Sequence, residues 1–309
     1  MQISAELVRE LREKTGAGMM DCKKALTESE GDMEAAVDVL RKKGLAAAAK
    51  KASRVASEGV VAAHVAAGSA VLVEVNCETD FVAKTPEFRE FVGRVAGMVN
   101  GKDPKDVAEA LLLPGEGGIP LGEILNEKVA KIGEKISFRR FARFALPAGA
   151  RGVLVPYIHA GGKIGVLVEL LGAGADDPEF AALAKDMAMQ VAASNPLYID
   201  RQDVPADVIE REKSIYREQA LASGKPEKIL DRIAEGKLGK YYEDFCLVEQ
   251  AYIKDPDRRV KDLLKETAGK KGIEVRVARF ARFQVGEGFA KRSDDLAAEV
   301  AKQLGQGGT

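Results

Sequence analysis

The chain has 309 residues, 46% hydrophobic and 31% charged, which is enough apolar material for more than one core. No apolar run approaches the roughly 20 residues that span a bilayer, so a membrane role is not expected. A net charge of −1, from 47 basic and 48 acidic residues, argues against a protein devoted to holding phosphate backbone.

Residues 1–45 read as three short helices. Ile3, Leu7, Val8 and Leu11 make an apolar stripe, "TGAG" interrupts it, "MMDCKKALTESE" gives a second helix, and Asp32 caps a third through "MEAAVDVLRKKG", with Gly44 as its expected stop. The N-terminus is amphipathic and mixed in charge, unlike a secretory signal, so a cytoplasmic location is expected. Residues 46–55 read as a basic helical linker. The wider stretch "RKKGLAAAAKKASR" carries Arg41, Lys42, Lys43, Lys50, Lys51 and Arg54 with no acid among them. A solvated helix between two domains explains it, and so would an RNA contact.

From residue 56 the sequence repeats itself. "GVVAAHVAAGSAVLVEV" from Gly59 returns as "GVLVPYIHAGGKIGVLVEL" from Gly152, each a strand, a turn and a strand. "PEF" then opens an amphipathic helix at Pro86 and again at Pro178, and "RRFARFAL" ending at Leu146 returns as "ARFARFQV" ending at Val285. The reading is α+β with antiparallel sheets: core copy one over 56–147 and core copy two over 148–288. The second copy is longer, and its surplus reads as a projecting helical hairpin at about 205–250. Residues 289–309 are expected to form a C-terminal helix and tail.

Strand alternation places Ile136, Phe138, Arg140, Ala142, Phe144 and Leu146 on one core face of the first closing strand, matched by Val275, Val277, Arg279, Ala281, Phe283 and Val285 in the second. Arg139, Phe141 and Arg143, or Arg276, Phe280 and Arg282, fall on the other face. They suit either a covered sheet surface or a platform for stacking RNA bases.

Motifs for chemistry are missing. There is no phosphate-binding loop, no dinucleotide fingerprint, no nucleophile elbow and no zinc-protease pattern. Cys22, Cys77 and Cys246, with only His64 and His159 beside them, have no metal-ligand spacing and read as small buried side chains. No enzyme activity, cofactor or direct nucleotide binding is expected.

One segment breaks its own pattern. After the alternating Val71, Val73 and Val75, "NCETDFVAK" carries an aromatic, Phe81, out into a polar loop. Together with "LVRELREKTGAGMMDCKKALTESEGD", from Leu7 to Asp32, it closely resembles the translation elongation factor Ts family, and the likeness covers nearly the whole chain. The resemblance implies an N-terminal module like ubiquitin-associated domains, a two-part core and a coiled-coil arm. It further implies a guanine nucleotide exchange factor for elongation factor Tu. In that family the segment matching Thr79, Asp80, Phe81 and Val82 enters the GTPase near its magnesium, and the aromatic wedges between two partner helices. Further partner contacts are implied for Met19, Met20, Lys23, Ile132, Gly133 and His159. Met19 or Met20 could instead fill the core of the small bundle. The alternative from another class is an RNA-binding, ribosome-associated protein.

Overall fold

The structure is a computed structural model that describes residues 3–15, 17–174 and 176–289. The expected C-terminal helix beyond 289 lies outside the described residues. The chain opens with α1 (Ala5–Thr15), α2 (Met19–Glu28) and α3 (Met33–Lys51). The first core unit follows as β1 (Glu58–Ala66), β2 (Ser69–Cys77), α4 (Asp80–Lys84), α5 (Pro86–Lys102), α6 (Val107–Leu111), α7 (Leu121–Ile132) and β3 (Ser137–Ala145). The second comprises β4 (Gly152–His159), β5 (Ile164–Leu171), α8 (Pro178–Ser194), α9 (Ala206–Ala222), α10 (Leu230–Phe245), β6 (Ala251–Tyr252), β7 (Asp255–Arg259), α11 (Val260–Lys271) and β8 (Arg276–Gln284). Among the described residues no helix is long and apolar enough to cross a membrane.

Val8, Leu11, Cys22, Ala25, Leu26 and Ala36 form the core of the first three helices. Asp32 caps α3 by accepting the Ala35 N–H at 2.8 Å. Contrary to the expected stop, α3 does not end at Gly44. A single glycine costs a helix only about 1 kcal/mol, and the alanine-rich turns after it favour continuation. Gly44 instead marks where α3 crosses α7: the Asn126 carbonyl oxygen is 3.6 Å from where a Cβ would sit.

The repeat forms two antiparallel sheets, β1-β2-β3 and β4-β5-β8. In each copy "PEF" is a helix start. Thr85 accepts the Phe88 N–H at 3.3 Å and Asp177 the Phe180 N–H at 3.1 Å, with Pro86 and Pro178 in the first turn, where a missing N–H costs nothing. Val71, Val73 and Val75 of β2 turn outward onto Phe88, Phe91, Val92 and Val95 of α5. Val166, Val168 and Leu170 of β5 turn onto Phe180, Leu183 and Met187 of α8. The inner faces meet through Val61, Ala70, Leu72, Phe144, Leu167 and Phe283, giving four layers: helix, sheet, sheet, helix. At their closest approach only glycine fits, since a Cβ on Gly165 would lie 2.3 Å from Val61 Cγ1.

The closing strands do not present one continuous face. β2–β3 pairing passes from Glu74↔Arg140 to Val75↔Phe138, leaving Arg139 as a bulge, and β5–β8 pairing passes from Glu169↔Arg279 to Leu170↔Val277, leaving Ala278 as another. An extra residue reverses the alternation. Ile136, Phe138 and Phe141 therefore pack on the helix side, and Ala142 and Phe144 on the sheet side. The same split puts Val275, Val277 and Phe280 with α8, and Ala281 and Phe283 between the sheets.

Each bulge is followed by an arginine that binds the opposite sheet. Arg140 Nε donates to Glu74 at 2.6 Å on its own sheet, its Nη2 reaches the Gln284 carbonyl at 3.3 Å, and its guanidinium lies over Phe283. Arg279 answers with Glu169 at 2.6 Å, the Ala145 carbonyl at 2.9 Å and the Phe144 ring.

α9 and α10 form the inserted hairpin, tied across by Arg217 Nε to Asp231 at 2.5 Å and Lys237 to Gln219 at 2.8 Å. At its root Leu197 and Tyr198 donate to the Phe245 carbonyl at 2.9 and 3.1 Å, so the hairpin's two ends lie side by side. Val204, Leu238, Tyr241 and Cys246 pack there.

Candidate partner-binding surface

The segment after β2 forms a short helix in place of the expected open loop. Thr79 caps α4 by accepting the Val82 N–H at 3.3 Å. Val82 and the buried Ala83 join the first core, which fixes one side of α4. Phe81 points the other way and is 79% exposed. Asp80 accepts from Lys84 Nζ at 2.5 Å, and this bond holds its carboxyl below the usual carboxylate range.

The backbone before Phe81 is held by Glu134. Its Oε2 accepts the N–H groups of Glu78 and Thr79, each at 3.0 Å, and its Oε1 accepts the Thr79 hydroxyl at 2.6 Å. Glu134 follows Gly133, which ends α7 in the left-handed conformation at φ 84°. Ile132 and Gly133 are thereby brought beside the Thr79 turn.

His159 is drawn toward the same end through Arg89 of α5. The guanidinium donates to the Ala83 carbonyl at 3.3 Å and to the Gly161 carbonyl at 3.0 Å. Ala160, Gly161 and Gly162 all have positive φ, so the turn after His159 is wider than the turn at Gly68 in the first hairpin. His159 is exposed, its Nδ1 is 3.1 Å from the Tyr157 hydroxyl, and the two rings stack at 5.9 Å.

Met19, Met20 and Lys23 lie on a separate part of the molecule. Both methionines are exposed, at 57% and 63%, and line a groove with Ile3 and with Val8 and Arg12 of α1; the small core is filled by Cys22 and Leu26 instead. Their connection to the Thr79 turn runs through α3 and α7.

Of the arginines that suggested an RNA platform, Arg139, Arg143 and Arg282 have internal partners, whereas Arg276 is exposed beside Glu274. Arg143 donates to the Asn100 carbonyl at 2.9 Å and pairs with Asp103 at 2.7 Å, while Arg282 donates to the Ala192 carbonyl at 3.4 Å. Phe141 and Phe280 pack in the helix-side cores. In the basic stretch, Arg41 pairs with Glu123, Lys43 with Glu28 and Arg54 with Glu78. All three cysteines are buried, and burial pushes the Cys77 thiol up to about 12. Among the described residues no group of three or more His, Cys, Asp or Glu could hold a metal ion.

Sequence reasoning missed Glu134, Glu78 and Arg89. Each is a charged residue in a charged neighbourhood, and only the fold shows that it binds a backbone group far away in the chain.

Comparison with known proteins covers the whole architecture. The family model described as Elongation factor TS matches residues 78–287. An Elongation factor Ts from Syntrophotalea carbinolica is 51% identical over 302 residues, spanning 97% of this chain and 99% of that protein. Those from Clostridium perfringens and Clostridioides difficile are 49% and 50% identical, each spanning 98% of this chain and 100% and 99% of their own lengths.

Proposed function

This chain belongs to the elongation factor Ts family and so has a role in translation elongation, and from that premise we propose that it is a guanine nucleotide exchange factor for elongation factor Tu. It binds the GDP-bound GTPase, disturbs the magnesium and phosphate site, and speeds GDP release so that GTP can bind. It acts by binding in the cytoplasm and has no reaction of its own.

The observation that carries this reading is Phe81: a large aromatic, exposed to water, on a helix whose opposite side is anchored in a core. A ring this exposed adds little to the stability of its own chain and leaves its apolar surface available to a partner. Its burial between two helices of the GTPase would contribute roughly 1.5–3 kcal/mol, released only when those helices part. Binding is thereby coupled to distortion beside the nucleotide. Asp80, Thr79 and Val82 travel with the ring toward the magnesium surroundings. Ile132, Gly133, His159, Met19, Met20 and Lys23 supply the flanking contacts. Coupling is reciprocal: a factor that weakens GDP is itself weakened by GDP to the same extent, and rebinding of nucleotide releases it.

The test is release of labelled GDP from elongation factor Tu with and without the protein, repeated with Phe81→Ala and Phe88→Ala. Phe81→Ala is expected to keep the parent thermal midpoint and to lose most of the acceleration. Phe88, fully buried on the inner face of α5, is the structural control, expected to lose about 3–5 kcal/mol of stability as alanine. A Phe81→Ala protein that exchanges at the parent rate rejects the wedge.

A further inference from the structure

Two loops beside Phe81 exchange carboxylates. Glu134 binds the Glu78 and Thr79 N–H groups, and in return Glu78 Oε1 accepts the N–H of Lys135 at 2.6 Å. Arg54 Nη1 meets the same Glu78 oxygen at 3.2 Å. Lys135 Nζ then donates to the carbonyls of Ala52 and Arg54 at 2.7 and 2.8 Å, just past the end of α3. The turn before Phe81, the end of α7 and the end of α3 are joined at one point.

The Phe81 ring has no packing of its own to fix its direction, because it is 79% exposed. α4 has only 5 residues, too few to hold a direction by helix hydrogen bonding alone. With Val82 and Ala83 holding the far side of α4 in the core, its orientation depends on the turn at Glu78 and Thr79, on which Glu134 places three hydrogen bonds, to the two N–H groups and the Thr79 hydroxyl. Bonds to a carboxylate are roughly twice as strong as neutral ones.

Resting on the exchange-factor reading above, we propose that Glu134 is a positioning residue for Phe81. It sets the direction of the ring before the partner arrives and, through Glu78 and Lys135, keeps it in register with the end of α3. An aromatic that had to be ordered on contact would lose part of its burial energy to conformational entropy. With Glu134 in place, that ordering is done by folding, and the ring and the three-helix unit meet the partner as one rigid piece.

The experiment is a double-mutant cycle of Glu134→Ala and Phe81→Ala in the full chain, reading labelled GDP release from elongation factor Tu alongside thermal midpoints. Glu134→Ala is expected to lower the acceleration about ten-fold in the parent. With Phe81 already alanine, the same change is expected to have an effect of less than about two-fold, because a residue acting through another loses its effect when that other is gone. Glu134→Gln keeps an oxygen for the two N–H groups and offers its amide to the Thr79 hydroxyl, so it is expected to stay within about three-fold of the parent. If Glu134→Ala does not fold, Glu134→Asp, which keeps the charge but is shorter by one methylene, takes its place with the same expected background dependence. Equal losses in both backgrounds, or no loss in the parent, would overturn the positioning role. Parent-rate release by Phe81→Ala alone rejects the wedge, and with it this role, in an arm that does not involve Glu134.

Discussion

The guanidinium of Arg279 lies 4.3 Å from the centre of the Phe144 ring, joining the closing strand of one sheet to that of the other. The same arginine neutralises Glu169, which is buried between the sheets. Arg279→Met is expected to lower stability by about 3 kcal/mol, chiefly by leaving that carboxylate without this partner. Adding Glu169→Leu is expected to recover much of the loss, since a buried ion pair can be replaced by apolar groups more cheaply than it can be broken. Urea titrations with an unchanged slope and shifted midpoints check both.

Gly44→Ala is expected to stabilise the protein by roughly 0.5–1 kcal/mol. A methyl at 3.6 Å from the Asn126 carbonyl is in ordinary contact, and alanine removes backbone freedom from the unfolded chain. Gly44→Leu has no such room and is expected to force α3 away from α7, with a lower thermal midpoint. Calorimetry of the two variants distinguishes them.

The fate of Gly44 illustrates what the sequence made legible. Duplication, hairpins, the helices opened by Pro86 and Pro178, and the inserted arm were all readable, because each depends on local periodicity or local capping. A glycine after "RKK" looks like a stop only until the neighbour that needs it is known. The Arg139 bulge was hidden for a similar reason: strand alternation is a local signal, and nothing in "SFRRFARFA" marks which arginine is the extra residue. At the candidate surface Phe81 stood out by its incongruity, whereas Glu134 did not, because a carboxylate that binds backbone N–H groups across 55 residues of sequence leaves no pattern.

Acid should loosen the root of the arm. Burial pushes Glu249 upward, but Arg201 and Lys261 outweigh it and hold its pKa at about 2, against an ordinary 4.5. A carboxylate depressed in the folded state adds stability above its unfolded pKa and loses it as pH falls through the folded value. The loss therefore falls between about pH 4.5 and 2. Glu249→Gln is expected to be less stable than the parent by about 1–3 kcal/mol at neutral pH, with the gap closing across that window. Thermal midpoints of both proteins from pH 7 downward give the comparison.

Removing residues 206–244 with a short Gly-rich bridge is expected to leave the four-layer core folded, because Leu197 and Tyr198 already hold the Phe245 carbonyl and bring the ends together. A cut extended to 250 would also take Gln250, which accepts from Gln190 of α8 at 3.2 Å and donates to the Ser194 carbonyl at 3.3 Å. The longer deletion is expected to melt several degrees lower. Loss of cooperative unfolding in the shorter one would assign the hairpin to the core.

The exchange of arginines between the sheets bears on ancestry. Each copy offers an arginine and receives one, offers a phenylalanine ring and receives a cation over it. A chain with a single copy carries both halves of that exchange on one surface, so two such chains about a two-fold axis would complete each other as an isologous dimer. Joining the two halves in one chain would relieve each of the need to match its twin. In a single chain the two halves need not match: only the second carries the arm, and only the first carries the exposed Phe81.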